Sequence, residues 1–349
     1  MKKYLMLLLF LTGFISSAQI SVSSKHIGPS SKFKKGQLEK FKASKTIFVF
    51  SNVFEKSTYE EILKNSWSVT PYEIVSVNDF NIKDYLNDNY SFATLDGLKV
   101  TKTKSTGMVS VNLYTYFDIS IYESDKLLKK LTNYSGGKSK KIKKIISNHR
   151  LNIARFELFP KDDFIHIALS QENEKITDMV FKDDAFFNYQ PGFLQNYFQK
   201  ISQLLNDEEI FWKYKDLQAP ELEKLATDTL YIPDYIKTKF NPFFVADKDR
   251  IDVDIDKLFS NYGYQHKFIS KNDLNQKILN NGEFYYLRYV RVNSEKFIQV
   301  VNSKTGNVIY RDYKSGFSNS YNLTEKNLKA LNKAIENEVK KAEKMAKKS

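Results

Sequence analysis

The stretch SVNDFNIK at residues 76–83 recurs as SKNDLNQK at residues 270–277, with five of the eight positions identical. Each copy follows a run of strand-forming residues, and each leads into an aromatic strand and a hairpin. Because Asn side chains accept hydrogen bonds from the free N–H groups of a first helical turn, Asn78 and Asn272 are the predicted helix caps. The recurrence predicts that one arrangement of strands and helices is present twice in the chain.

The residues around the first copy predict alternating strands and helices. The apolar run at 46–50 is short enough for a buried strand. Ser57 is the predicted cap of a helix that ends before Pro71. Three further strands are predicted over 72–77, 90–103 and 108–122, and the last two form a hairpin.

The residues around the second copy predict a similar order. Residues 229–233 resemble 46–50 in type and in setting, and a short helix follows over 256–262. Further strands are predicted over 283–292, 297–301 and 308–313. Gly306 lies in the turn between the last two strands, where a residue with positive φ is needed.

Residues 162–226 contain no predicted strand. Apolar residues recur at helical spacing after Pro191, which predicts a helix that packs between or against the two units. A last helix is predicted over 323–339, with Thr324 as its cap, and it frays into the tail. The predicted fold class is therefore mixed α/β (α+β), with two related β-α-β-α-β-β units and a helical insert between them.

The first residues have the pattern of a secretory signal peptide. Lys2 and Lys3 precede an apolar run over 4–15, and small residues at 16–18 precede Gln19. No later apolar stretch is long enough to span a bilayer, so we expect the exported chain not to cross a membrane. We predict a periplasmic location, with an extracellular location as the alternative. The predicted domains are a signal peptide (1–18), a mobile lead-in (19–44), a first α/β unit (45–160), a helical insert (161–226), a second α/β unit (227–335) and a basic tail (336–349).

The composition excludes several classes of site and concentrates the charge. The 349 residues include no cysteine, which excludes disulfide bonds, thiolate metal sites and a thiol nucleophile. The formal net charge is +13, and residues 126–150 contain nine basic residues and no acidic one. Clustered lysines bind polyanions, and an exported protein would meet anionic lipid or glycopolymer rather than nucleic acid. The predicted polyanion-binding residues are Lys138, Lys140, Lys141, Lys143 and Lys144.

The alternative for this basic segment is the solvated face of a helix that packs on its own unit. Ile142, Ile145 and Ile146 recur at helical spacing and leave the lysines mostly on the outer face. The two interpretations predict the same helix and differ in what the lysines contact.

No catalytic, cofactor or metal site is predicted. The four histidines form none of the spacings that bind metals or support catalysis. Asp252, Asp254 and Asp256 match the first positions of a calcium loop. The match then fails, because Lys257 and Gly263 stand where the loop needs glycine and glutamate.

Several stretches resemble uncharacterised exported proteins of Bacteroidota-type bacteria. They are the Ser-Ala-Gln ending of the signal peptide and residues 191–197, 212–216 and 229–235. The turn at 302–308 is similar to hairpins in several periplasmic domains, PepSY among them. The resemblance implies export, and it implies no activity.

We expect an exported non-enzymatic envelope protein that acts as a protein-interaction module, with another envelope protein as its partner. Exposed sheet edges and aromatic strands such as 284–292 favour this function. The alternative is binding of a polyanion or a membrane surface through residues 126–150. Hydrolysis of envelope material is a third hypothesis.

Overall fold

The computed structural model describes residues 19–26, 29–103, 105, 107, 109–134, 136, 139–171, 173–182, 184–241, 251–315 and 322–347. The predicted signal peptide lies outside these residues. The described chain forms two six-stranded mixed sheets together with helices, which confirms the predicted mixed α/β class. Within the described ranges no helix combines the length and the apolar character needed to cross a bilayer.

Ten α-helices are present in the part of the chain that the structure describes. They are α1 (Gln37–Lys42), α2 (Lys56–Ser66), α3 (Ser124–Thr132), α4 (Ser139–Asn148), α5 (Asp162–Ser170), α6 (Asn173–Lys182), α7 (Pro191–Asn206), α8 (Ile255–Phe259), α9 (Lys271–Leu279) and α10 (Glu325–Ala346). Short 3₁₀ helices cover Ile82–Tyr85, Pro220–Ala226 and Asp234–Lys237.

The first sheet consists of β1 (Ile20–Val22), β2 (Lys45–Phe50), β3 (Tyr72–Ser76), β4 (Tyr90–Thr103), β5 (Val109–Tyr122) and β6 (Arg150–Glu157). Its strand order is β1-β6-β5-β4-β2-β3. Strand β2 is parallel to β3 and β4, and the other neighbours are antiparallel. Parallel neighbours need crossover connections, and α2 and the 3₁₀ helix at Ile82–Tyr85 lie in these connections.

The second sheet consists of β7 (Leu217–Gln218), β8 (Leu230–Pro233), β9 (His266–Ile269), β10 (Tyr285–Val292), β11 (Glu295–Asn302) and β12 (Val308–Ser315). Its order is β7-β12-β11-β10-β8-β9, with β8 parallel to β9 and β10. The remaining pairs are antiparallel. Each strand of the second sheet therefore has a counterpart in the first, at the same place in the order and with the same relative direction.

The segment predicted as a mobile lead-in, residues 19–44, contains regular structure, and this part of the prediction is wrong. Ile20 and Val22 are fully buried in β1, which pairs with β6, and α1 follows before β2. Three residues are too few to show a strand period, so only the pairing with a distant strand reveals β1. Strand β7 likewise lies inside the predicted strand-free insert, and β6 was not predicted.

The recurring octapeptides lie at corresponding points of the two sheets, but their predicted caps are wrong. Ser76 ends β3, and Ser270 directly follows β9. Asn81 rather than Asn78 caps the first 3₁₀ helix, and Ser270 rather than Asn272 caps α9 by accepting a 3.1 Å hydrogen bond from the Asp273 backbone N–H. The position of each cap depends on the residue at which the preceding strand ends, and the local sequence does not show that residue.

Of three other helix ends, one matches its prediction and two differ. Helix α2 begins at Lys56, one residue before the predicted cap Ser57. Thr324 precedes α10 as predicted, and its backbone N–H donates to Asn327 Oδ1 at 3.1 Å. Helix α10 continues to Ala346, so much of the predicted fraying tail is helical.

Helix α7 packs between the two sheets, as predicted for the insert. On one side the Phe198 ring contacts Phe48 and Phe117 of the first sheet at 5.5 and 5.4 Å between centroids. On the other side Phe193 stacks on Tyr286 of the second sheet at 5.4 Å. Each fully buried ring of this size contributes about 2 kcal/mol to folding, so α7 joins the two sheets into one packed body.

A buried ionic cluster lies on the face of the first sheet that points away from α7. Asp118 is fully buried and accepts a 2.8 Å hydrogen bond from Arg155 Nε. Burial alone would raise the pKa of Asp118, but the guanidinium groups of Arg150 and Arg155 hold it below its usual value. His26 Nε2 lies 3.7 Å from Asp118 Oδ1, which attaches the N-terminal segment to this cluster.

The turn at Gly306 generates a prediction for folding stability. Gly306 has φ of 70°, and an added Cβ would lie 2.4 Å from the Asn196 carbonyl oxygen of α7. Gly36 has φ of 76° with no atom within 4 Å of the corresponding position. Gly36→Ala should therefore cost about 1 kcal/mol from backbone strain alone, and Gly306→Ala should cost about 2 kcal/mol more because of the clash. Urea unfolding measures both losses, and equal losses would contradict the packing of this turn on α7.

The cluster around His26 predicts a loss of stability in acid. Burial and then the charge of Arg155 lower the pKa of His26 well below its usual value. As the pH falls, His26 therefore becomes protonated at a higher pH in the unfolded chain than in the folded chain. The free energy of unfolding should decrease as the pH falls below about 6.5. His26→Gln should flatten the dependence between pH 7 and pH 5, measured by urea unfolding at each pH. His166→Gln, at an exposed histidine, is the control and should keep the full slope. An unchanged slope in His26→Gln would refute the assignment.

Candidate functional site

The predicted polyanion-binding lysines lie on and just before α4. Helices α3 and α4 form a helical hairpin, hereafter the basic hairpin, that connects β5 to β6. Lys138 lies outside the described residues, and of Lys140 and Lys143 the structure describes the helical backbone. Lys141 and Lys144 are exposed. Their binding of a polyanion stays a prediction.

The apolar side of the basic hairpin packs against the first unit. Leu127 of α3 is fully buried, and Ile145 and Ile146 of α4 are partly buried against the same core. This orientation confirms the predicted amphipathic helix. It leaves the described lysines on the outer surface, which both interpretations of the segment require.

Among the described side chains of the basic hairpin, Glu123 pairs with two of the basic groups. Glu123, just before α3, accepts a 2.8 Å hydrogen bond from Lys126 Nζ and lies 3.5 Å from His149 Nδ1. The hydrogen bond from Lys126 lowers the pKa of Glu123. Lys141 Nζ lies over the Tyr134 ring at 4.6 Å, a contact that leaves its charge in place.

The basic hairpin is an addition to the plan that the two sheets share. In the first sheet residues 123–149 connect β5 to β6, whereas residues 303–307 connect the corresponding strands β11 and β12. The short turn is sufficient to join two antiparallel neighbours. The long connection therefore supplies a surface that the sheet itself does not need.

A second addition is a long β-hairpin at the far end of β4 and β5. The two strands pair without interruption from Phe92 with Ser120 to Thr103 with Val109. Strand β2 pairs with β4 only as far as Thr94. Residues 98–103 and 109–112, hereafter the distal hairpin, therefore extend beyond the rest of the sheet.

The distal hairpin exposes apolar side chains. Val109, Val111 and Leu98 are 57%, 43% and 39% exposed. Val109 and Val111 are paired with Thr103 and Thr101 across the two strands, which forms a continuous β-branched surface on one face. Among the described strands none pairs with β4 beyond Thr94 on the side away from β5, and α6 packs on β4 at Gly97, where an added Cβ would lie 3.0 Å from Ile176.

The base of the distal hairpin is fixed in place. Lys99 Nζ donates to the carbonyl oxygens of Leu169 and Gln171 at 3.2 and 2.5 Å. Asn293, in the turn between β10 and β11, bonds both the backbone N–H and the carbonyl of Leu113 at 3.0 and 2.9 Å. Contacts with the helical insert and with the second unit therefore orient the hairpin, so that its exposed half is presented in a defined direction.

Two neighbouring cavities lie between the units, and sequence reasoning did not find them. Each has a volume of about 180 Å³, and they share the side chains of Phe187 and Tyr235 as a wall. Lys161 and Lys271 line one cavity, and both bond Asp184 Oδ2, at 2.8 and 3.0 Å. Because the residues that line this cavity come from four separate segments, no local spacing in the sequence marks this place.

The titratable groups do not converge on a reaction centre in the described part of the chain. His26 contacts Asp118, His149 contacts Glu123, and His266 stacks on the Phe259 ring at 4.4 Å. Asp254, from the partial calcium pattern, caps α8 by accepting from the Lys257 backbone N–H. Within the described ranges, no group of three or more His, Asp or Glu residues is arranged to hold a metal ion.

Comparison of the chain with protein-family models, with curated proteins and with solved structures finds no match in any of the three.

Proposed function

We propose that this chain is an exported, non-enzymatic protein of the cell envelope that binds another envelope protein through the distal hairpin. The observation that carries the proposal is the exposure of Val109 and Val111 on a β-hairpin that extends beyond its sheet. Exposed apolar surface on an ordered strand pair is costly for a soluble protein, and it is typical of surfaces that a partner covers.

The length of β4 beyond Thr94, which no described strand other than β5 pairs with, suggests how the partner binds. An unpaired strand edge presents backbone N–H and C=O groups that accept an added strand. Here the edge lies beside a face formed by alternating valine and threonine side chains. A partner segment in extended conformation would pair with the edge, and its apolar side chains would cover Val109 and Val111.

The double substitution Val109→Lys and Val111→Lys tests this binding mode. Two added charges should abolish partner binding while leaving folding intact, because both positions are exposed. A photoreactive residue placed at Thr101 in intact cells should crosslink one specific envelope protein in the parent chain and not in the double variant. Ile251→Lys, at another exposed apolar residue, is the matched control and should keep the crosslink. Failure of the parent chain to crosslink any specific protein would refute the proposal.

The second candidate function is binding of an anionic membrane surface or glycopolymer through the basic hairpin. It is supported by the exposed Lys141 and Lys144 on a helix that the shared plan of the sheets does not require. Each lysine near an anionic lipid surface contributes about 1 kcal/mol. Four such lysines on one helix would bind a membrane reversibly and in a salt-dependent manner.

Substitution of glutamine for Lys140, Lys141, Lys143 and Lys144 tests the second function. The parent protein should bind vesicles of phosphatidylcholine with phosphatidylglycerol, and the variant should bind at least about tenfold more weakly. The control replaces four exposed lysines of α10 by glutamine, namely Lys329, Lys333, Lys340 and Lys344, and should retain binding. Vesicle sedimentation at increasing sodium chloride measures the effect. Binding that does not change with salt would exclude the basic hairpin as an electrostatic surface.

We also infer that the two units descend from one duplicated unit, and that the chain acts in the periplasm. The recurring octapeptides and the shared strand order support the duplication. The signal-peptide pattern before Gln19 supports export.

A further inference from the structure

Three polar side chains form a row across the second sheet on the face that packs against α7. Arg288 of β10 is paired with Gln299 of β11, and Gln299 is paired with Arg311 of β12. Arg288 and Gln299 are 0% exposed, and Arg311 is 1% exposed. Two arginines are therefore buried side by side with one amide between them.

The hydrogen bonds of the row are incomplete, and every unpartnered atom is a donor. Arg288 Nε donates to Gln299 Oε1 at 2.9 Å, and Arg311 donates to the carbonyl oxygens of Lys215 and Trp212. Arg288 Nη1 and Nη2, Gln299 Nε2 and Arg311 Nη1 have no hydrogen-bond partner of good geometry. The Tyr286 hydroxyl lies near Arg288, and this contact opposes the rise in the pKa of Tyr286 that burial causes. Buried polar groups almost always have partners, so four free donors in one row call for an acceptor.

The described residues compensate the positive charge of the row only in part. Within the described residues neither guanidinium forms an ion pair with a carboxylate. Arg288 lies over the Tyr197 ring at 4.4 Å, which stabilises one cation in part. The pKa of Arg311 is lowered to about 9, chiefly by burial; the charge of Asp216 opposes this change, and the charge of Arg288 adds to it.

The fold itself does not require charge at this row. In the first sheet β2 pairs with β4, and Ile47 lies opposite Phe92. In the second sheet β8 pairs with β10, and Leu230 lies opposite Tyr285. Phe92 and Tyr285 therefore occupy corresponding positions. Arg288 lies three residues after Tyr285, as Leu95 lies three residues after Phe92. Because Leu95 is paired with Phe117 and Phe117 with Phe156, these three residues form the corresponding row of the first sheet. That row is apolar and also faces α7, so the arginines are specific to the second sheet.

We propose that the row binds a small monovalent inorganic anion, of which chloride is the abundant form, between the two sheets. An anion accepts hydrogen bonds without bringing protons, so it matches four donors and balances part of the charge of two guanidinium groups. A water molecule would itself donate two hydrogen bonds, and the unpartnered atoms of the row are donors that cannot accept them. The anion adds an ionic link between β10 and β12 beneath α7. This proposal is independent of the partner that binds the distal hairpin.

Stability measured in different sodium salts tests the proposal. At constant ionic strength, replacement of gluconate by chloride should lower the unfolding equilibrium constant by the factor 1 + [Cl⁻]/Kd, about tenfold when chloride is at ten times its Kd. The double variant Arg288→Met and Arg311→Met should lose this dependence. Lys296→Met is the control, because Lys296 is a buried cation that donates to the Asn322 carbonyl at 3.1 Å; this variant should keep the dependence. Equal stability of the parent protein in both salts would overturn the proposal.

A second measurement covers the case in which the double variant does not fold. Crystals of the parent protein grown in sodium bromide should show an anomalous peak within hydrogen-bond distance of Arg288 Nη1 or Nη2 and of Arg311 Nη1. A bromide peak at the row supports the site. Density at the row without anomalous signal would overturn it, because the occupant would then be water.

Discussion

The arrangement of the two sheets depends on the contacts of the Tyr197 side chain. Its ring is stacked between Phe156 of the first sheet, at 4.3 Å, and the guanidinium of Arg288 of the second, at 4.4 Å. Its hydroxyl donates to Gln19 at 2.8 Å and accepts from Asn188 at 2.9 Å. One side chain of α7 therefore connects both sheets and the N-terminal segment, and every polar atom of that side chain is satisfied. Loss of this ring would leave a cavity between the sheets and a buried cation without its π partner.

The two sheets share one plan, and the proposed binding surfaces are additions to only one of them. The basic hairpin and the distal hairpin both extend the first sheet, while the second sheet makes the corresponding connections with short turns. The second sheet instead differs in its interior, where Arg288 and Arg311 replace apolar residues. The proposed contacts with another molecule are thus on surface extensions, and changes in these extensions would leave the packed faces around α7 intact.

The accuracy of the sequence predictions depends on the range of the interactions involved. The buried strand at 46–50, the helix after Pro191 and the turn at Gly306 were predicted, because hydrophobic period and turn chemistry act within a few residues. Strand β1 and the caps at Asn81 and Ser270 were missed, because pairing with distant strands sets them. The outward lysines of α4 follow from helical spacing. The length of β4 that β2 leaves unpaired depends on where β2 ends, and the sequence contains no local sign of that point.

The sequence by itself determined the mixed α/β class, the concentration of charge in residues 126–150 and the lack of thiol chemistry. These properties follow from composition and from short-range periodicity. Only the tertiary structure decided that β1 completes the first sheet, that the valines of the distal hairpin stay exposed, and that two arginines face α7 in the interior. Burial is a property of what packs on a residue, and in this protein packing partners can be far apart along the chain: Gln19 and Tyr197 are separated by 178 residues.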